Sequence, residues 1–451
     1  MKAIACSAPG TAPESAGSAS ALAACERTKS LILRVWIVAG IFFMVLPGTL
    51  LGFTNLMAIS AHHGAASLPQ AWFQGHGHAQ AFGWIGSFIL GIGFYSQPAR
   101  GRWAIRAQAL CLALWISGVA LRWTASIYGW HWRSVLPLSA ALEFAALLLF
   151  VAAASRHKRP SQPVHPLAKR GMESWMISVF LGTLGLTAAV LFNLVECVRL
   201  ALAGASPAFP HALDQRYLVI LGWGFLAPVV WGFSARWFPA FLGVARPNSR
   251  LLVTALLLNT MGVIAGAAGQ GGTAAILLAG AAVLSGAALQ LASRLRTSAK
   301  TQGVHPSFPV FARLAYLWLA IAGAMGVWAA FCDAHGGIWG ASRHALTVGF
   351  AATMVFTIGP RILPHFSGIY RIFSIRLMFA SLLLLQAGCA LRVLSEPLAY
   401  EGIVAVAWKI LPVSGTLELA GVLIFAVNLA LTFALGRTAF ASHQGAAQIA
   451  D

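Results

Sequence analysis

Four histidines stand where ligand chemistry is expected of them: His76 and His78 in HGHAQ, His211 in PHALD and His344 in RHALT. Each lies at the start of a long apolar stretch. Neutral imidazole binds haem iron axially and also suits copper, so His76, His78, His344 and His211 are candidate cofactor-binding residues. Of these, His76, His78 and His344 are candidate metal ligands. Each helical residue turns the chain by about 100°, so His76 and His78 point about 200° apart and do not share one metal on a regular helix. His365 is in the same apolar stretch as His344 but about 31 Å further along the helix, at its opposite end. No residue is singled out as catalytic.

The helices that must position these groups are legible in composition. The chain has 451 residues, 59% of them hydrophobic and only 9% charged, against about 25% charged in a soluble globule. At about 20 apolar residues per crossing, the sequence predicts an all-α polytopic membrane protein. Its twelve spans run over roughly 33–56, 76–96, 104–122, 134–154, 175–198, 215–236, 251–269, 273–293, 311–331, 343–363, 376–395 and 411–436. Residues 1–30, rich in Ala, Ser and Gly, read as a flexible cytoplasmic tail, 31–437 as a single transmembrane domain and 438–451 as a second cytoplasmic tail.

A formal charge of +19 would suggest nucleic acid in a soluble chain, but here the basic residues sort by membrane side. The loops RHKRPSQPVHPLAKR (156–170) and SRLRTSAKTQGVHP (293–306) are basic, whereas 57–74 and 268–272 hold no Lys or Arg. The positive-inside rule then places both termini in the cytoplasm of a bacterial-type inner membrane, with the bilayer as partner and no nucleic acid. Cys6, Cys25, Cys111, Cys197, Cys332 and Cys389 are scattered singly, without the CxxCH of covalent haem or the CxxC of structural zinc.

RWFPAFLG (236–243) and RILPHFSG (361–368) share Arg, Pro, Phe and Gly at the same offsets, and GFYSQPARG (93–101) matches them loosely. These segments close the second, sixth and tenth spans, whose outer ends carry the four histidines. Twelve spans then divide into three parallel modules of four. His62, His63, His131 and His335 fall in outer loops, and His157, His165, His305, His365 and His443 on the cytoplasmic side. Trp and Arg near the outer histidines, including Trp84, Arg122, Arg133 and Arg343, either wall a porphyrin and pair with its propionates or form the interfacial belt. Glu143, Glu196 and Glu418 lie in or near span interiors, where an ionisable group is costly. Glu143 and Glu418 are the deepest. They read as satisfied helix contacts, with a partner such as Asn193, or as a proton or polar relay.

HGHAQAFGW (76–84), ARWFPAF (235–241) and HALTVGFAATMVFTIGPRILPHFSG (344–368) resemble the three recurrent blocks of the NnrS family, haem- and copper-containing membrane proteins linked to nitric oxide. The resemblance extends from the first span to the tenth. Ala79 and Gln80 depart from it, because the family has Glu-Met there. It implies haem b, with copper as a further cofactor, and a small gaseous or redox ligand such as nitric oxide. More distantly, the pattern is similar to the catalytic subunit of haem-copper oxidases, whose three four-helix arcs carry cofactor histidines on helices 2, 6 and 10. The oxidase copper site has a His-His pair downstream of helix 6, and here the single His-His is 62–63. The alternatives are a twelve-span transporter, which would show inverted repeats and broken midplane helices, with Pro47, Pro137, Pro228 and Pro412 as candidate breaks, and a divergent oxidase-like redox subunit.

Overall fold

The computed structural model describes residues 16–66, 68–97, 102–155 and 172–436. Residues 1–15, the 156–170 loop, the end of the 93–101 segment and residues 437–451 lie outside them. The described residues form twelve continuous helical rods: α1 (16–62), α2 (70–96), α3 (Arg102–Tyr128), α4 (Trp132–Ser155), α5 (Ser174–Ala203), α6 (His211–Phe241), α7 (Ser249–Ala267), α8 (Gly271–Ala288), α9 (Phe308–Cys332), α10 (Gly337–Phe366), α11 (Ile375–Tyr400) and α12 (Ala407–Leu435). Eleven of them, all but α2, contain a stretch long and apolar enough to cross a membrane. The chain is a multi-pass membrane protein.

One difference from the sequence reading lies at the start. Helix begins at Ala16, inside the stretch expected to be a flexible tail, because AGSASALAACERT is rich in alanine, the strongest helix former. Three side chains then fasten the lower part of α1. Lys29 donates to the Gln97 carbonyl at 3.1 Å, Ser30 to that of Phe366 at 3.2 Å, and Arg34 to that of Ser367. All three acceptors lie at the C-terminal ends of α2 and α10, where unpaired carbonyls favour cations.

Consecutive helices pair as hairpins, most extensively α3 with α4, α7 with α8 and α11 with α12. Further contacts join α4 to α5 and α8 to α9, and α12 returns to pack on α1. The helices α6 and α10 are inside this arrangement. Their apolar stretches are 78% buried, against 28–44% for the other nine spans. The α2 rod is the third inner helix; its Gln, His and Gly residues lower its hydropathy, and burial compensates for what lipid would not solvate. Arg236 and Arg361, the repeated arginines, lie 4.3 Å over Trp175 and 5.7 Å over Phe308, at the starts of α5 and α9.

Each inner helix widens into π-helical turns, over Ala79–Gly86, Ile220–Leu226 and Ala345–Ala352. The first residue follows His78, Val219 and His344 in turn. Such turns leave backbone groups displaced and recur at functional sites. A glycine in each, Gly83, Gly224 or Gly349, brings the inner helix close to α1, α5 or α9. The approach is tightest where Gly185 of α5 meets Gly224, since a Cβ on Gly185 would lie 2.0 Å from the Gly224 carbonyl oxygen.

Backbone cannot yield there as a flexible side chain would. Gly185→Ala is expected to lower the thermal stability of the detergent-purified protein by at least the ~1–3 kcal/mol of ordinary overpacking. Gly286→Ala, whose new methyl meets nothing within 4 Å, should leave it unchanged or raise it. Equal effects from the two would show that this backbone contact does not hold α5 to α6.

Candidate functional site

His78 and His344 turn out to occupy equivalent places. The Nε2 of His78 lies 2.7 Å from Glu143 Oε1 on α4, and the Nε2 of His344 lies 2.7 Å from Glu418 Oε1 on α12. The carboxylates are placed by matching sequence. LPLSAALE (136–143) repeats as LPVSGTLE (411–418), and GVALR (118–122) as GCALR (388–392). The glycine of each second motif faces the glutamate of the first: a Cβ on Gly118 would sit 2.7 Å from Glu143 Cγ, and one on Gly388 would sit 2.5 Å from Glu418 Cγ. The absence of a side chain there lets the glutamate stem lie against α3 or α11.

The second module keeps the geometry and loses the chemistry. Gly262 of α7 faces Leu278 of α8, with the leucine Cγ 2.8 Å from a built Cβ, and Gly266 faces Val219 of α6. Val219 thus stands where the other modules have His78 and His344, Leu278 where they have Glu143 and Glu418, and Gly266 where they have Arg122 and Arg392. By the same register Tyr217 and Ser342 stand where α2 has His76.

An ionised carboxylate only accepts hydrogen bonds. With Glu143 and Glu418 ionised, the hydrogen of each imidazole sits on Nε2, and Nδ1 is the free lone pair. His76 has the complementary arrangement, its Nδ1 lying 2.9 Å from the Gly48 carbonyl in the π-helical part of α1. Its Nε2 is free. A histidine whose one nitrogen donates to a carboxylate or carbonyl has the tautomer and ring orientation of a metal ligand. Gly52 makes room for this ring, since a Cβ there would lie 2.5 Å from His76 Cε1.

His76 and His344 line one cavity of about 260 Å³ between α1, α2, α6, α10, α11 and α12, together with Glu418, Arg343 and Arg392. Its wall also carries Asn55, Gln80 and Trp84, and the Asn55 amide, Gln80 Oε1 and Trp84 Nε1 are buried without a hydrogen-bond partner. Gln80 Nε2 donates to Thr49 at 2.9 Å. Unsatisfied polar atoms are uncommon in native interiors; these stand beside two imidazoles in one cavity, while others, among them Trp36 Nε1, Ser87 Oγ and Trp231 Nε1, lie elsewhere among the described residues. Arg392 is paired with Glu396 and Arg343 with Gln215.

His78 faces the other side of α2, away from that cavity. Its carboxylate partner continues a buried chain: Asn193 donates to Glu143 Oε2 at 3.1 Å, Cys197 contacts Asn193 Oδ1 at 3.6 Å, and Arg122 donates to Cys197 Sγ at 2.7 Å while lying 4.7 Å over Phe209. Phe82 stacks on the His78 ring at 4.5 Å and on Trp115 at 5.3 Å, fixing the imidazole from its apolar side. The Tyr217 hydroxyl, in the position equivalent to His76, is buried without a partner.

His211 is exposed at the first residue of α6 and is not in the cavity wall. The structure therefore brings His76 and His344 together, sets His78 in a separate network and leaves His211 outside both. His365 is exposed at the far end of α10. Glu196 pairs with Arg199 at 2.9 Å. Among the described residues no three His, Cys, Asp or Glu side chains are grouped as a metal ion would need. Arg392, Gly118 and Gly388 were missed from the sequence, although the two repeated motifs that contain or face them are visible in it.

A haem asks for an imidazole with a free nitrogen, apolar and aromatic walls, and cations for its carboxylates. The cavity offers His76 and His344, the walls Phe73, Trp84 and Leu385, and Arg343 and Arg392. The donor set fits. The volume lies just under the roughly 300–1,000 Å³ of ligand pockets, so a group as wide as a porphyrin requires side chains such as Gln80 to turn aside.

A family model described as a domain of unknown function, DUF8744, matches residues 244–434, from just before α7 to the end of α12. No curated protein matches the chain. The matched segment contains His344, Arg392 and Glu418, but not α1, α2 or α6.

The valine, leucine and glycine of the second module suggest a test. Glu143→Leu leaves His78 Nε2 and Asn193 Nδ2 unpaired in the interior, at about 1–3 kcal/mol each. The double variant His78→Val with Glu143→Leu, which copies the second module, should lose less thermal stability than the sum of the two single variants. Strict additivity would mean that the imidazole and carboxylate are not energetically coupled.

Proposed function

We propose that this is a haem-binding, NnrS-like membrane protein of a bacterial-type inner membrane, handling a small gaseous or redox ligand such as nitric oxide. The observation that supports this reading is the cavity in which His76 and His344, each with one ring nitrogen already hydrogen-bonded, stand beside two arginines and unpartnered polar atoms. His76 and His344 would hold the haem, and Arg343 and Arg392 would meet its propionates. Bound there, a haem supplies an iron centre for diatomic ligands and single-electron transfer. Glu418 orients His344, and the Gly48 carbonyl orients His76. Haem is placed ahead of copper because two imidazoles leave a bare ion short of donors, whereas a porphyrin brings four of its own.

In this reading the twelve rods are twelve spans in three parallel arcs, α1–α4, α5–α8 and α9–α12. The recurrence of the π-helical turns and of the glycine contacts at one register per arc supports that division. Two arcs keep the His, Glu and Arg set. The parallel repeat disfavours a transporter built on inverted repeats.

An absorption spectrum of the detergent-purified protein is expected to show a b-type haem Soret band. His76→Ala and His344→Ala should each abolish it, whereas His211→Ala and His365→Ala should retain it. An unchanged Soret band in the His76 and His344 double variant would remove the cavity from the site, and absence of the band in wild-type protein produced with ample haem would remove the haem.

Sidedness is tested separately. A reporter active only in the cytoplasm should give signal when inserted in the 156–170 loop and none in 57–74. The opposite result would turn the His76 end of the bundle inward.

A further inference from the structure

A second, smaller cavity of about 100 Å³ lies where α2, α6 and α10 meet. Ile85 and Phe88 of α2, Leu226 and Val229 of α6, and Ala351 and Met354 of α10 are among its walls, and Ser234 is the one hydroxyl-bearing residue there. Ile85 and Leu226 also line the histidine cavity, so one pair of side chains forms the partition between the two spaces. We propose that this cavity is a docking place for one small apolar molecule, a diatomic gas, adjoining the histidine cavity that it enters past Ile85 and Leu226. The destination rests on the function proposed above; the docking place does not.

Three arguments lead to this occupant. A buried water needs two to four polar partners, and a wall with a single hydroxyl does not supply them. An enclosed apolar cavity of about 150 Å³ takes up benzene or xenon, and this apolar space of about 100 Å³, open on the side of Ile89, Val230 and Val355, is of a size for a diatomic or a noble-gas atom. The position also follows from the fold, because the inner helices α2, α6 and α10 each widen into π-helical turns, and the cavity begins at those turns, with Ile85, Leu226 and Ala351 all inside them. The partition is made of aliphatic side chains, which rotate between staggered wells without breaking a hydrogen bond.

Xenon is the probe. Crystals of the detergent-purified protein held under xenon should show an anomalous peak bounded by Ile85, Leu226 and Ala351. Ala351→Leu, which fills the space from α10, should remove the peak. Val355→Phe fills it from the same helix one turn later and serves if the first variant does not fold, while Met354→Leu keeps both volume and peak. No xenon at this position in the wild-type protein, or ordered water or a detergent tail occupying it, overturns the proposal. A xenon peak in protein without any Soret band would leave the docking place standing and remove the haem reading, whereas a Soret band without xenon would do the reverse.

Discussion

The structure depends on a hydrogen bond between an imidazole and a carboxylate, made twice, each time beside a glycine that lets the carboxylate-bearing helix come close. Burying a glutamate inside a membrane protein is costly unless it is paired. Glu143 is fully buried and has two partners, His78 and Asn193. Because the carboxylate must stay paired, the inner helix α2 is fixed in rotation against α4, and α10 against α12 in the same way. With α2 so fixed, His78 faces its glutamate and His76 is delivered to the opposite side.

The second module shows the same constraint from the other direction. There the histidine, the glutamate and the arginine positions are Val219, Leu278 and Gly266, all three apolar or without a side chain. Replacing one partner of a buried pair leaves the other uncompensated, whereas replacing the whole set with apolar groups of suitable shape is tolerated. The histidine and glutamate positions therefore change together; the arginines pair with other groups, Arg122 with Cys197 and Arg392 with Glu396. The retained glycine at 262, still packed on the leucine stem, shows that helix approach and polar chemistry are separable features of the module: the first serves the fold, the second serves the two compartments that keep it.

Much of this was legible in the sequence. Composition gave the membrane class, hydrophobic runs gave helices close to the observed ones, and the arginines shared by RWFPAFLG and RILPHFSG lie over aromatic residues at the starts of α5 and α9. The LPxSxxLE and GxALR motifs were equally visible but carry no weight until Glu143 and Gly118 are known to touch, because a glycine facing a glutamate stem leaves no mark on hydropathy. Rotation about the helix axis was harder to read. An angle of 100° per residue describes a regular helix, and His78 and His344 immediately precede turns that are not regular. His211 illustrates the remaining limit. It opens α6 at the end where the other histidines lie, but stands eight residues before Val219, which holds the place of His78 and His344, so position at the start of an apolar stretch does not fix the register of a side chain.

The arrangement makes α2 the shared wall of two compartments with different contents. On one side His76 meets a cavity with His344; on the other His78 lies in a packed chain that runs through Glu143, Asn193 and Cys197 to Arg122. Both faces are anchored within three residues of sequence and immediately before the π-helical turns. A regular helix entering at Gln70 would carry any rotation into both compartments at once, and the two anchors resist it from opposite sides: Gly48 holds His76, and Glu143 holds His78. The wide turns begin only after the second anchor, so the remainder of α2 packs against α6 and α10 beyond both imidazoles. This separates the fixed imidazoles near the helix start from the close packing through its middle; the turn of α6 begins at the same place after Val219, so the register of the turns belongs to the fold and not to the histidines.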